Sequence, residues 1–221
     1  MPYYRAMKVR VVPVTPLQQN CSILACEKTG AAAIVDPGGD LDLILAEIEA
    51  AGLRPEKILL THGHVDHCAG APELARRLGI PIEGPHPADA FWIDQLPVST
   101  VRYGMPRVDP FVPSRWLAGG DEVRFGDETM QVIHCPGHTP GHVVFYSAPM
   151  QLAFVGDVLF AGSIGRTDFP RGNHADLLSS IRNRLWPLGN EVTFVPGHGP
   201  VSTFGQERRT NPFVRDGAVG S

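Results

Sequence analysis

Thr61-His62-Gly63-His64-Val65-Asp66-His67 sets four potential metal ligands within one short run of chain. Lys57–Leu60, directly before it, reads as a short buried strand. Ala71–Leu78, shortly after it, reads as a helix that ends at Gly79. A loop leaving the end of a strand lets alternate residues point to one side. His62 and His64 then share one position, while Asp66 and His67 face a neighbouring one. Imidazole suits zinc, iron or copper, and a carboxylate adds a hard, negative donor. A lone histidine reads as a packed core or surface residue. Four donors in this pattern read as a metal centre.

One loop rarely closes a catalytic site, so further donors are expected at other strand ends. Three candidates stand in that setting. His138, in Pro136-Gly137-His138-Thr139-Pro140-Gly141-His142, follows the strand Thr129–His134. Asp157 follows the apolar run Leu152–Val155, and His198, in Pro196-Gly197-His198-Gly199, follows Val192–Val195. Each has a glycine beside it, which permits tight turns and close backbone approach. Singly these are turn residues; together they extend the metal centre.

The remaining pattern is one of short strands and helices. Lys8–Val14, Ser22–Cys26 and Ala32–Val35 are rich in β-branched and small apolar residues, and the last ends in the turn Asp36-Pro37-Gly38-Gly39. Asp40 suits a helix N-cap before Leu41, Ile44, Leu45 and Ile48, with Gly52 closing the helix. Ile80–Ile82 is a strand candidate and Ala88–Leu96 a helix. Pro97–Pro113 shows no period and reads as a surface connection. Glu122–Phe125 and Val143–Tyr146 are further strands, Leu177–Leu185 a helix, and the chain after Gly199 polar and irregular. This order predicts two sheets with helices outside, in one domain over 1–221.

Of 221 residues, 43% are hydrophobic and 19% charged, as in an ordinary globule. The net charge of -4 offers no basic patch for nucleic acid or an acidic membrane. No run in the sequence reaches spanning length, and Met1–Val14 carries Arg5, Lys8 and Arg10 where a leader would be apolar. Four cysteines at 21, 26, 68 and 135, with no Cys-x-x-Cys pair, predict reduced thiols and a cytoplasmic location. Cys21 and Cys26 read as small core residues.

Taken in order, these motifs resemble the metallo-β-lactamase superfamily, most closely its glyoxalase II (hydroxyacylglutathione hydrolase) group. The resemblance runs through Asn20-Cys21-Ser22, Val35–Gly39, the histidine-rich run, Pro136–His142, Gly156-Asp157, Gly165–Gly172 and Pro196–Pro200. The length and the Asn211-Pro212-Phe213 stretch look like the short bacterial hydrolases of that group. The resemblance implies an α/β fold, a four-layer αββα sandwich. It also implies two divalent ions, zinc first with iron or manganese as alternatives. His62, His64 and His138 would bind the first, Asp66, His67 and His198 the second, with Asp157 bridging. Asp66 and Asp157 are then the candidate catalytic carboxylates. The implied reaction is hydrolysis of a small thioester, such as S-lactoylglutathione, by a metal-bridging hydroxide, in a monomer or small homo-oligomer. True β-lactamases of the superfamily generally lack the bridging aspartate, which argues against lactam chemistry.

Other positions carry weaker signals. Arg166, in Gly165-Arg166-Thr167-Asp168-Phe169-Pro170-Arg171-Gly172, falls where the group carries a basic residue that contacts glutathione. It either pairs with a substrate carboxylate or fixes its own loop through Asp168. Asp36 either orients a ligand histidine or caps its turn. His142 reads as a buried, hydrogen-bonded partner of the ligand loop. His134, Cys135 and Cys68 read as packing residues, and His86 and His174 as exposed. Full-length members of the group extend past the Asn-Pro-Phe stretch in a helical segment that contacts glutathione, whereas this sequence stops at Ser221; glutathione recognition is therefore expected to differ.

Two rivals accompany this reading. Gly165–Phe169 is similar to a run in the persulfide dioxygenases, which hold a single iron, here through His62, His138 and Asp157. A metal-binding or partner-binding protein on an old enzyme scaffold would instead show an incomplete ligand set.

Overall fold

The computed structural model describes residues 7–217, so the first six positions, Arg5 among them, and the last four lie outside it. Period-2 burial dictates the arrangement of the strands. Along β2 (Gln19–Cys26), β3 (Ala31–Val35) and β4 (Arg54–Leu59), the side chains of Ile23, Ala32, Ile34 and Ile58 face one way. Those of Leu24, Ala33, Val35 and Leu59 face the other. With β1 (Met7–Val14) and β5 (Ile82–Glu83) these strands form a sheet ordered β1-β2-β3-β4-β5, antiparallel through β3 and parallel beyond it.

Helices α1 (Leu41–Ala50), α2 (Val65–Cys68), α3 (Ala71–Leu78), α4 (Ala90–Asp94) and α5 (Leu96–Arg102) follow in this half of the chain. Ile44, Ile48, Val65, Leu74, Ile93 and Leu96 of these helices pack on the outward set of strand residues. Gly79 ends α3 at φ +68, as the sequence predicts.

The second sheet contains β6 (Glu122–Phe125), β7 (Glu128–His134), β8 (Val143–Ser147), β9 (Leu152–Gly156), β12 (Thr193–Pro196) and β13 (Ser202–Thr203), in the order β13-β12-β9-β8-β7-β6. A hairpin of β10 (Leu159–Phe160) and β11 (Ser163–Ile164) stands apart. Val132, Phe145, Phe154 and Val195 meet the first sheet across an apolar layer. Val144, Ala153, Val155 and Phe194 face outward onto α6 (His174–Ser180) and α7 (Phe204–Thr210). Helix, sheet, sheet and helix are therefore stacked as four layers, the αββα sandwich expected.

Local departures from expectation have physical causes. Asp40 stands at the N-cap position of α1 as expected, but its side chain makes no cap bond: it adopts φ +46, and its carboxylate accepts from Thr15 N at 2.7 Å. The helix expected over Ala88–Leu96 is broken into a 3-10 turn (Pro87–Asp89), α4 and α5, so α5 enters the expected surface connection. Leu177–Leu185 is the end of α6 followed by a π-helical turn, Ile181–Leu185. The helix starts earlier, where the Asn173 side chain accepts from Asp176 N at 3.1 Å.

From 200 to 217 the chain after Gly199 is ordered rather than irregular. Phe204 is buried, Thr203 caps α7, and Asn211 donates to the Ser163 carbonyl at 3.0 Å and to Glu207 at 2.9 Å. The bond to Ser163, with that of Gly162 N to the Glu207 carboxylate at 2.8 Å, straps the tail against the β10–β11 hairpin.

Candidate metal centre

The C-terminal ends of β3, β4, β7, β9 and β12 open on one cleft, where a sheet of parallel and mixed strands leaves its loops free to carry chemistry. The first loop leaves β4 extended, so His62 and His64 project to the same side. It then turns into α2, whose first residues carry Asp66 and His67. Only glycine fits at position 38, because a Cβ there would overlap the backbone carbonyl of Asp66. Asp36, at the end of β3, is held at φ +50, a conformation that costs a non-glycine residue about 1 kcal/mol or more. That turn aims its carboxylate into the site.

All seven expected donors converge in two groups. His62 Nε2 lies 3.0 Å from His64 Nδ1, and His138 Nε2 lies 2.9 Å from the same atom. His198 Nε2 lies 3.1 Å from Asp66 Oδ2, and His67 Nε2 lies 3.8 Å from it. Asp157 stands between the groups. Its Oδ1 is 3.4 Å from His67 Nε2, while its Oδ2 is 3.6 Å from His138 Nε2 and 3.8 Å from His198 Nε2.

The hydrogen-bond partners on the far side of each ring decide which nitrogen is bare. His138 Nδ1 donates to the Arg166 carbonyl at 2.8 Å, and His198 Nδ1 to the Leu17 carbonyl at 3.1 Å. His67 Nδ1 donates to Asp36 Oδ2 at 2.9 Å. The Thr61 hydroxyl donates to Asp36 Oδ2 at 2.5 Å, which leaves its oxygen to accept from His62 Nδ1 at 3.0 Å. His62 and His138 therefore turn a lone pair into the cleft, while His67 and His198 aim Nε2 there and expose its lone pair once that nitrogen loses its proton.

Two bare nitrogens aimed at His64 Nδ1 are more than one proton on His64 satisfies. His67 Nε2 and Asp157 Oδ1 are buried with no hydrogen-bond partner. Focused lone pairs beside buried polar atoms without partners are what a bound cation relieves, so the residues present fit a metal. Asp36, His62 and His67 also cluster, but the Asp36 carboxylate is already occupied by Thr61 and His67.

The electrostatics divide along the same line. Burial pushes His62 well below the usual imidazole range, lowers His138, and takes His64 down to about 3. For His67 and His198 burial also opposes charge. The surrounding carboxylates outweigh it, Asp157 and Asp66 at His67 and Asp66 first at His198, so both are raised. Asp157 is held far below the carboxylate range: burial works against ionisation, but His67, His138 and His198 overcome it.

The other expected positions sort themselves by contact. His142 is fully buried, accepts from Asp157 N at 3.0 Å and stacks on His62 with ring centroids 4.6 Å apart. Asp36 reaches His67 directly and His62 through Thr61. Cys68 turns its thiol to the Gly63 carbonyl, away from the centre, and Cys135 is buried. His134 stacks on His86 at 4.2 Å, so His86 is half-buried rather than exposed. His174 is exposed as expected.

Arg166 lines the cleft, but both its Nε and Nη2 contact Asp168 at 2.6 Å, and its guanidinium lies 4.4 Å from the Phe169 ring centroid. The cleft measures about 520 Å³, and Leu17, Trp92, Tyr103, Phe160, Ile164 and Phe169 give it largely apolar walls. Trp92 packs edge-on against His64 at 4.5 Å. Apart from Phe169, these walls and the buried carboxylate of Asp89 carry no motif in the sequence.

This αββα scaffold and its histidine–carboxylate cleft are those of a metallo-hydrolase, and the chain belongs to the metallo-beta-lactamase superfamily, whose family model matches residues 14–198. It is similar to the hydroxyacylglutathione hydrolase GloC of Haemophilus influenzae, 43% identical over 209 residues that cover 94% of this chain and 98% of that one. Two solved structures superpose along nearly the whole chain. The B3 metallo-beta-lactamase BLEG-1 has a TM-score of 0.86 at 35% identity, covering 94% of this chain and 99% of that one. TTHA1623, solved in a di-iron-bound form, has a TM-score of 0.84 at 38% identity, covering 93% and 100%.

Proposed function

We propose that the chain hydrolyses a small thioester of the S-lactoylglutathione kind at a centre for two divalent cations. His62, His64 and His138 would hold one ion and Asp66, His67 and His198 the other. The observation that carries this reading is the position of the Asp157 carboxylate, within 3.4–3.8 Å of donors from both groups. Bound there, such ions would supply Lewis acidity and lower the pKa of a water.

The protein's own residues do the rest. Neutral histidines, bare on the cleft side, present lone pairs without a prior proton loss at the first position. Asp66 and Asp157 offset part of the positive charge. Apolar walls exclude bulk water and strengthen every charge interaction within. The leaving thiolate, with a free-thiol pKa of about 8.5, needs no dedicated acid. Nitrogen and carboxylate oxygen donors suit zinc, with iron or manganese as alternatives; the di-iron relative is in keeping with that breadth. The name of the Haemophilus influenzae relative supports the thioester class. Four buried, unpaired thiols agree with a reduced, cytoplasmic setting.

The test is release of free thiol from S-lactoylglutathione by metallated protein, run beside a β-lactam and beside glutathione persulfide with an oxygen electrode. Thiol release that a chelator abolishes and added metal restores is expected. Lactam cleavage alone, or oxygen uptake with no thioester turnover, would replace the thioester reading.

A further inference from the structure

Asp89 closes the 3-10 turn between β5 and α4 and belongs to neither group of donors, yet its carboxylate joins the loops that carry them. It is fully buried. Its Oδ2 accepts from Gly63 N at 2.9 Å and from the Thr139 hydroxyl at 2.7 Å, and its Oδ1 accepts from Gly141 N at 2.6 Å. Gly63 lies between His62 and His64, Thr139 follows His138, and Gly141 precedes His142. A Cβ on Gly141 would come within 2.6 Å of Asp89 N and 2.7 Å of its carboxylate, and one on Gly63 within 3.1 Å of the Asp89 carbonyl. Both loops thus press their backbones directly onto this one residue.

Burying a carboxylate is costly unless its oxygens are filled. Burial leaves Asp89 raised to about 6 even with the pull of its three hydrogen bonds. Those bonds offset the cost only while the two loops stay together. The other trio (Asp66, His67 and His198) receives no bond from Asp89.

We infer that Asp89 is a positioning residue that sets the spacing of His62, His64 and His138, and so governs the affinity of the first metal position alone. This rests on the two-position reading above. Asp89→Asn keeps the size but not the chemistry. Its single oxygen serves Gly63 and Thr139 or serves Gly141, and its amide then meets a donor on the remaining side.

The test measures each position separately by chelator competition with zinc in the full chain. His198→Ala disables the second position, and adding Asp89→Asn to it is expected to weaken the remaining ion by roughly 10–100-fold. His138→Ala disables the first, and adding Asp89→Asn there is expected to leave affinity within about twofold, the spread expected of independent sites. Equal losses in both backgrounds, or none with His198→Ala, would overturn the inference. Should Asp89→Asn fail to fold, Thr139→Val removes one donor only and is expected to show the same selectivity at roughly fivefold, the worth of one hydrogen bond; its absence would also overturn it. Wild-type protein that binds a single equivalent would instead remove the two-position reading, and the effect of Asp89→Asn on that equivalent would still decide the role of Asp89.

Discussion

Exchanging Asp36 for asparagine changes one atom and is expected to disturb a ligand in each trio. Asp36 is 2% exposed and accepts three bonds: Thr61 N at 2.7 Å, the Thr61 hydroxyl at 2.5 Å and His67 Nδ1 at 2.9 Å. Removing the side chain with alanine would orphan three buried donors at about 1–3 kcal/mol each, a total that rivals the whole stability of a domain. Asparagine avoids that collapse. Its oxygen is expected to stay on Thr61 N, where no other acceptor reaches, so its amide occupies the place of Oδ2.

That amide donates, and His67 Nδ1 must then accept, which leaves the ring's one proton on Nε2, the atom that faces Asp66 and Asp157. The Thr61 hydroxyl is turned as well, and with it the proton on His62. The expected loss is about 10–100-fold in metal affinity, or about 1.4–2.7 kcal/mol, with a melting temperature lowered by only a few degrees. Chelator competition, thermal melting and the proton resonances of the imidazole rings in metal-free protein provide the readout. Wild-type affinity alongside unmoved ring protons would refute the claim that Asp36 selects the tautomers.

Further outcomes follow from the same geometry. Asp157→Ala removes the carboxylate between the trios and is expected to drop metal content and cut turnover by more than about 100-fold, beyond what an outer partner costs; elemental analysis with a thioester assay checks it, and full occupancy at a near-normal rate would count against the shared carboxylate. Arg166→Ala is expected to raise KM for an acidic thioester more than for a neutral one with kcat unchanged, and equal effects would leave Arg166 as the partner of Asp168 alone. Metal entry at the second position should release protons, because His67 and His198 are raised by their carboxylates. Affinity there should fall as pH drops below their folded pKa values and level off above them. The first position, whose histidines are lowered, should load with little proton release near neutral pH. Calorimetric titration in buffers of different ionisation enthalpy separates the two.

Much of this architecture is legible in the sequence because its signals are local. The strands alternate with period 2, α3 ends at a glycine, and the donors sit at strand ends beside glycines. What the sequence does not reveal depends on distant partners. Asp89 meets Gly63, Thr139 and Gly141 from 26, 50 and 52 residues away, and within its own turn it is one acidic residue in a helical stretch. The tail after Gly199 reads as irregular because Phe204 gives no periodic pattern by itself. Its order comes from Glu207 and Asn211, whose bonds reach Gly162 and Ser163 on another element. The break between α4 and α5 arises from a Leu96-Pro97 step, where the proline starts a new helix rather than ending the ordered chain.

Anomalous diffraction from crystals of the metallated protein offers the most direct test of the paired centre. Two maxima are expected, one among His62, His64 and His138 and one among Asp66, His67 and His198, with an Asp157 oxygen within bonding reach of each. A single maximum, or an Asp157 carboxylate turned out of the cleft, would contradict the paired centre.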